Sequence, residues 1–355
     1  FITFTCGYLN MKTHRFTGIR RGRQMRVRIQ VSTALLGSLL ITGVVQADDL
    51  TECMTNRMQQ ANDEMTVGEL RLQCQKQLRD GSFVTEDKQV AVVSERLRLD
   101  RQNVLAPFTL MAHKPNYILV ATYNSSGYNP DPYREQYKNP SLELDDTEAQ
   151  FQVSIKTPLA IGLFDTFDIY AAYTNRSFWQ VYNDDISSPF RETNHEPEIW
   201  AQFNPNWEFH GFTNTANMVG FVHQSNGQGG NLSRSWNRIY ANFVVEKDNL
   251  ALAFKPWYRI PDDDDDNPDI KDYMGNYELR GAYKWGKNVF SVMSRNNLQS
   301  GFSKGAVELS WSFPLWSYPY MKGYIQYFNG YGESLIDYNQ YTNQIGIGFA
   351  LTDWL

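Results

Sequence analysis

The residues of this chain best suited to chemistry lie between His223 and Arg238, in the run HQSNGQGGNLSRSWNR. A histidine stands two positions before a serine, a turn carrying Gly227, Gly229 and Gly230 follows, and Asn237 lies close behind. A serine hydroxyl is a weak nucleophile until a base removes its proton, and imidazole is the base that suits that task near neutrality. Ser225 and His223 therefore form a candidate acyl-transfer pair. Asn237 can hold the imidazole tautomer through its side-chain carbonyl, without the charge an aspartate would bring into an apolar setting. The turn at Gly227 offers backbone N–H groups as oxyanion donors. A His-x-Ser pair alone arises by chance in many chains, so its surroundings must decide.

Strand periodicity puts alternate residues on one face. Val219, Phe221, His223 and Ser225 share a parity, and on the following segment Asn237 shares its own with Ile239, Phe243 and Val245. Arg238, Asn242 and Glu246 take the other side. All three candidate catalytic residues thus sit among apolar neighbours. If that face is a membrane wall they meet lipid, where an uncompensated polar group is expensive and usually functional.

The elements that must position them read as β throughout. Twelve short segments, near 117–126, 149–158, 165–180, 196–203, 212–226, 234–247, 249–260, 272–285, 288–296, 304–313, 319–330 and 339–352, are separated by Pro, Gly, Asn and Asp clusters. Alternation is clear where Tyr277, Leu279, Gly281, Tyr283 and Trp285 interleave with Glu278, Arg280, Ala282 and Lys284, and again where Ile345, Ile347, Phe349 and Leu351 interleave with small residues. The chain also carries 21 Tyr, 21 Phe and 9 Trp, heavy for a soluble domain. The expected fold class is all-β, a transmembrane antiparallel up-and-down barrel of about twelve strands, which averages out as polar because lipid-facing and interior residues alternate. A soluble sandwich or lipocalin-like barrel is the alternative that the same alternation allows.

Export supports the membrane version. Arg26 and Arg28 precede an apolar run from Val31 to Val45 that ends in Val45-Gln46-Ala47, the pattern of a secretory signal cleaved after Ala47. The run is short for a spanning anchor, which needs about 20 residues, and a twin-arginine address through Arg20 and Arg21 is the weaker reading. Residues before Met11 or Met25 read as translated upstream sequence. Loss of residues 1–47 removes seven basic and no acidic residues, leaving 26 Lys+Arg against 39 Asp+Glu and a net charge of −13. So acidic a chain is a poor nucleic-acid binder. Cys53 and Cys74 remain as a disulfide in an oxidising compartment, or as two buried thiols. The expected organisation is a signal and upstream segment over 1–47, a periplasmic extension and linker over 48–115 with a helix opened by the capping box Thr66-x-x-Glu69, and the barrel over 116–355.

Six segments carry a family resemblance: SSPFRETNHEPE (Ser187 to Glu198), NPNW (Asn204 to Trp207), HQSNG with SRSWNR, KPWY (Lys255 to Tyr258), DDNPDI with YMG (Asp265 to Gly275) and GYGESLIDYN (Gly330 to Asn339). Together, in order and spacing, they resemble the outer-membrane phospholipase A family of Gram-negative bacteria from about Tyr117 to Leu355. The resemblance implies a twelve-stranded outer-membrane barrel that hydrolyses phospholipid acyl esters at both positions and in lysophospholipids, with calcium, as a homodimer. It maps nucleophile, base and orienting residue onto Ser225, His223 and Asn237, and the oxyanion donor onto Gly227. It maps calcium ligands onto the Ser233 side chain, the Gln228 carbonyl and Ser187 of a second copy. Gln228 stands where the family has arginine, and Asn175 where it has an interface glutamine.

Elsewhere, His113, His195 and His210 read as structural or surface residues apart from the site, and Asp262 to Asp266 as a solvated turn that lacks the spacing of a calcium loop. Lys255-Pro256-Trp257-Tyr258 is expected to mark an aromatic girdle. The rival function is a catalytically silent porin or structural barrel, against which the complete Ser225, His223, Asn237 set stands.

Overall fold

The computed structural model describes residues 53–55, 57–58, 66–79, 91–104 and 110–355 apart from 188, 264 and 317. The signal segment expected over Met25 to Ala47 lies outside them. The chain divides between positions 86 and 87 into two compact units. In the first, Cys53 and Cys74 are joined in a disulfide, and helix α1 (Val67–Arg79) opens on the expected capping box. Thr66 N–H donates to the Glu69 carboxylate at 3.0 Å, and Glu69 N–H donates back to Thr66 Oγ1 at 3.3 Å. The Thr66 amide holds the Glu69 carboxyl below the usual carboxylate range.

The second unit is a closed antiparallel barrel of twelve strands: β1 (Asn116–Asn124), β2 (Thr147–Leu163), β3 (Phe167–Trp179), β4 (Phe190–Phe203), β5 (Phe212–Ser225), β6 (Ser235–Lys247), β7 (Leu250–Ile260), β8 (Tyr277–Trp285), β9 (Asn288–Asn296), β10 (Ala306–Leu315), β11 (Tyr318–Tyr331) and β12 (Tyr341–Thr352). Each strand pairs with its neighbours in sequence, and β12 pairs with β1 to close the ring. Closure leaves none of these twelve strands at a sheet edge, as a strand structure in hydrocarbon requires. Each of the twelve expected segments overlaps one strand.

The differences have local causes. Strand β4 begins at Phe190 rather than near 196, because Arg191, Glu192 and Asn194 point inward and are buried in a polar lumen instead of showing apolar alternation. Residues 272–274, read as the start of a strand, belong instead to the short helix α4 (Ile270–Met274), which Gly275 ends at φ +78°. A side chain at Gly275 would collide with the Asn296 backbone. The stretch read as linker contains helix α2 (Val92–Val104). Its first turn gives Val93 N–H to buried Glu246 at 2.7 Å and Ser94 Oγ to the same carboxylate, so a carboxylate meets the positive end of a helix. Lys156–Asp100 at 2.6 Å and Arg101–Asp168 at 2.8 Å hold the rest against the barrel.

The wall has two unlike faces. Outward residues such as Val219, Phe243, Leu279, Val292, Leu309 and Ile347 are exposed, while inward Glu148, Gln150, Ser154, Gln326 and Gln344 are buried and hydrogen-bonded. Exposed aromatics collect at both ends: Phe164, Trp207, Trp285, Trp316 and Tyr320 at the end with short turns, and Tyr123, Tyr182, Phe190, Tyr258 and Tyr341 at the other. An apolar band between aromatic girdles is the signature of an outer-membrane barrel, whose short turns face the periplasm and long loops the exterior. Tyr258 takes its girdle place, whereas Trp257 gives its indole N–H to the Gly275 carbonyl at 3.0 Å. If Val292 faces hydrocarbon, Val292→Arg costs about 2–4 kcal/mol in urea unfolding from lipid vesicles. Replacement of lumenal Ser291, which shares a hydrogen bond of 2.6 Å with Ser310, by Ala costs only about 1 kcal/mol; equal costs would refute the assignment of faces.

Candidate active site

The site is built where β5 and β6 run side by side toward the exterior end. Their register pairs Val219 with Ala241, Phe221 with Ile239, His223 with Asn237 and Ser225 with Ser235. Phe221, Ile239 and Phe243 are exposed, and Val222, Trp236, Arg238 and Glu246 are buried. His223, Ser225 and Asn237 therefore lie on the lipid-facing side, as their parity requires. His223 Nδ1 and Asn237 Oδ1 are 2.8 Å apart. An amide oxygen only accepts, so Nδ1 carries the proton and Nε2 keeps its lone pair. Ser225 sits next along the same face. Among the described residues no hydrogen bond joins its hydroxyl to the imidazole, which is common before substrate tightens such a contact.

Behind this face the same strands grip the lumen. Trp236 Nε1 donates to Gln224 Oε1 at 2.8 Å, Arg238 donates to the same oxygen at 3.1 Å, and the Arg238 guanidinium stacks 3.9 Å over the Trp236 ring. Beyond Ser225 the chain turns through Gly227 at φ +64°, a conformation that favours glycine. Buried Asn226 ties this loop to itself. Its Oδ1 accepts from Gln228 N–H at 3.2 Å and Arg234 N–H at 3.0 Å, and its Nδ2 donates to the Leu232 carbonyl at 2.7 Å.

A family model for phospholipase A1 matches residues 93–351. The chain belongs to the phospholipase A1 family. It is 38% identical over 248 residues to phospholipase A1 of Escherichia coli K12, across 70% of this chain and 83% of the relative, and equally to the Klebsiella pneumoniae enzyme across 84% of it. The fold is similar to outer membrane phospholipase A from Escherichia coli, with a TM-score of 0.64 at 37% identity, covering 70% of this chain and all of that one. It is equally similar to a Salmonella typhi outer membrane phospholipase dimer with bound calcium, with a TM-score of 0.64 at 37% identity, covering 70% and 94%. The phospholipase is thus an integral outer-membrane β-barrel whose substrate is phospholipid.

Further residues of the phospholipase converge on the site loop. Glu192 accepts from Asn194 Nδ2 at 2.6 Å, from Ile336 N–H at 3.1 Å and from Asn226 Nδ2 at 3.4 Å, so it links the loop after β5 to the loop after β11. Leu232 packs with Tyr133 of helix α3 (Asp131–Tyr137), Leu142 and Ile336. Arg191 is buried between Glu148, with hydrogen bonds of 2.8 and 2.9 Å, and Asp337. Sequence reasoning missed Glu192 and Arg191 because their contacts join residues far apart in the chain, and Asn226 because its bonds depend on the fold of the loop.

Two expectations change. His195 is not apart from the site: β4 and β5 pair it directly with Ser225, because its outward parity, shared with exposed Ile199, meets that of the serine across the ladder. The acidic run is not simply solvated, since Asp266 Oδ2 accepts from Ser233 Oγ at 2.5 Å and Asp265 holds Arg259 at 2.5 Å. His113 and His210 do lie elsewhere, the first bonded to lumenal Glu198 at 2.7 Å and the second in the turn after β4 against Phe209. Gln228 is exposed in the site loop, Ser187 is exposed in the loop after β3, and Asn175 Oδ1 accepts from Ser177 at 3.1 Å. Asn226→Ala leaves the Gln228 and Arg234 amides without their acceptor at a cost of about 2 kcal/mol to the loop. Hydrogen exchange should show faster exchange at Arg234 N–H while strand amides stay protected; unchanged exchange there would count against the tie.

Proposed function

We propose that Ser225 is the nucleophile, His223 the general base and Asn237 the residue that holds the base in its working tautomer. One observation carries this: the His223–Asn237 hydrogen bond of 2.8 Å lies on the lipid-facing wall beside Ser225, where unmatched polar groups are costly. Ser225 Oγ attacks the acyl carbonyl while its proton passes to His223 Nε2. The carbonyl oxygen, now negative, accepts a hydrogen bond from the backbone N–H at Gly227. Collapse expels the alkoxide of the lysophospholipid, or of the glycerophosphodiester when a lysophospholipid is the substrate, and the alkoxide takes the proton from His223. Water, deprotonated by the same imidazole, then attacks the acyl carbonyl, and the imidazolium returns the proton to Ser225 Oγ as the fatty acid leaves. The face is open to the bilayer, so hydrolysis at either acyl position, and of lysophospholipids, fits it.

Calcium belongs to the same proposal, held by the Ser233 hydroxyl, the Gln228 carbonyl and the partner subunit's Ser187 in an active homodimer. The donor chemistry fits a hard cation: Ser233 Oγ and Asp266 Oδ2 already stand together, and Gln228 lies in the same loop with its N–H given to Asn226. A substitution of side chain at Gln228 leaves a backbone ligand intact. Bound there, the cation supplies positive charge beside the oxyanion. A dimer that brings two lipid-facing walls together would also shelter the substrate from water.

The deciding assay is fatty-acid release from phospholipid in mixed micelles by the purified chain. Ser225→Ala or His223→Ala should lower it by about 10⁴-fold or more, with Asn237→Ala retaining roughly a hundredfold more activity than these. Ser225→Ala with wild-type turnover would remove the nucleophile assignment and leave the silent barrel as the better reading. A chelator should abolish release, and calcium should increase the crosslinked dimer; release unaffected by chelation would remove the metal.

A further inference from the structure

We infer that His195 is a second oxyanion donor for the ester carbonyl, its Nε2–H converging with the Gly227 backbone on the oxygen that becomes negative. This rests on the proposed role of Ser225. Three observations carry it. His195 and Ser225 are paired residues of adjacent strands, so their side chains leave the same outward face about 5 Å apart at Cβ. The ring edge faces the loop: a methyl group placed on Gly227 would lie 3.7 Å from His195 Cδ2 and 3.8 Å from Nε2. The other ring nitrogen, Nδ1, stands 2.6 Å from Tyr173 OH, which can donate or accept, and 3.5 Å from Asn175 Nδ2, which can only donate.

The last point sets the tautomer. An amide N–H₂ has no lone pair to offer, so Nδ1 accepts and the neutral ring carries its proton on Nε2. His223 has the opposite arrangement, protonated on Nδ1 toward Asn237. Ser225 is thus flanked along its strand by an imidazole that accepts a proton and across the ladder by one that donates a hydrogen bond. In the addition step the Ser225 proton goes to His223 Nε2 and the carbonyl π pair moves onto oxygen. His195 keeps its proton and gains a charge-assisted hydrogen bond, stronger in the transition state than to the neutral ester. Tyr173 and Asn175 are positioning residues for this ring.

The test uses the full chain in mixed micelles with calcium, comparing wild type, His195→Phe, His195→Gln and Ser225→Ala. Phe keeps a ring without a donor, and Gln keeps a donor without a ring. Two quantities are read: kcat against KM for phospholipid, and the rate at which a long-chain fluorophosphonate labels Ser225, which also places charge on an oxygen at that site. Phe should lower kcat and labelling by roughly tenfold to a hundredfold with KM within about twofold, and Gln should recover most of both. Phe with kcat and labelling within about twofold of wild type, or Phe and Gln equally impaired, overturns the donor role while Ser225→Ala remains inactive. An active Ser225→Ala instead defeats the underlying assignment of the nucleophile. Unboiled electrophoretic mobility of the barrel reports that each variant is folded, and should Phe not fold, the Gln variant at under a tenth of wild-type kcat overturns the inference alone.

Discussion

The structure depends on the register between β5 and β6. Because side chains alternate with a period of two, a slip of β6 by one residue would carry Asn237 into the lumen, away from His223, and put Arg238 against lipid. The pairing is held from both faces. Outside, Phe221 opposes Ile239; inside, Trp236 and Arg238 converge on Gln224. The polar pair on the outer face is tolerated because each partner satisfies the other in a place where water does not.

That register is supported by a lumen that a soluble protein would not build. Glu148, Arg191 and Asp337 form a buried ionic group near the exterior end, with Gln180 and Ser334 filling further bonds. Buried charges need such complete pairing, and removal of one partner is far costlier than removal of the set. Glu192 continues this network to Asn226 and so to the turn at Gly227. The loop that carries the proposed oxyanion donor is therefore anchored through the barrel interior, on the far side of the wall from the substrate. Rigid support of this kind is what an electrostatic site requires, since donors act best when they need not reorganise.

Much of this was legible from residue order. Short β-rich runs between Pro, Gly, Asn and Asp clusters located all twelve strands, and parity alone put His223, Ser225 and Asn237 on the apolar face. The capping box at Thr66 and Glu69 and the pairing of Cys53 with Cys74 follow from short-range rules. Illegible segments were those where the usual signal is inverted: Arg191 to Asn194 hide as strand because their buried side is polar, and α2 hides as linker because its partners, Glu246, Lys156 and Asp168, lie in distant strands.

The sequence by itself determined the alternating faces, the strand count and the short-range spacing of histidine, serine and asparagine, because these depend only on local geometry and on the solvent each face meets. Which residues of different strands stand opposite one another depended on ring closure and register. That is why His195, thirty positions before Ser225 in the chain, reads as an isolated surface histidine until β4 and β5 pair and set its imidazole beside the serine.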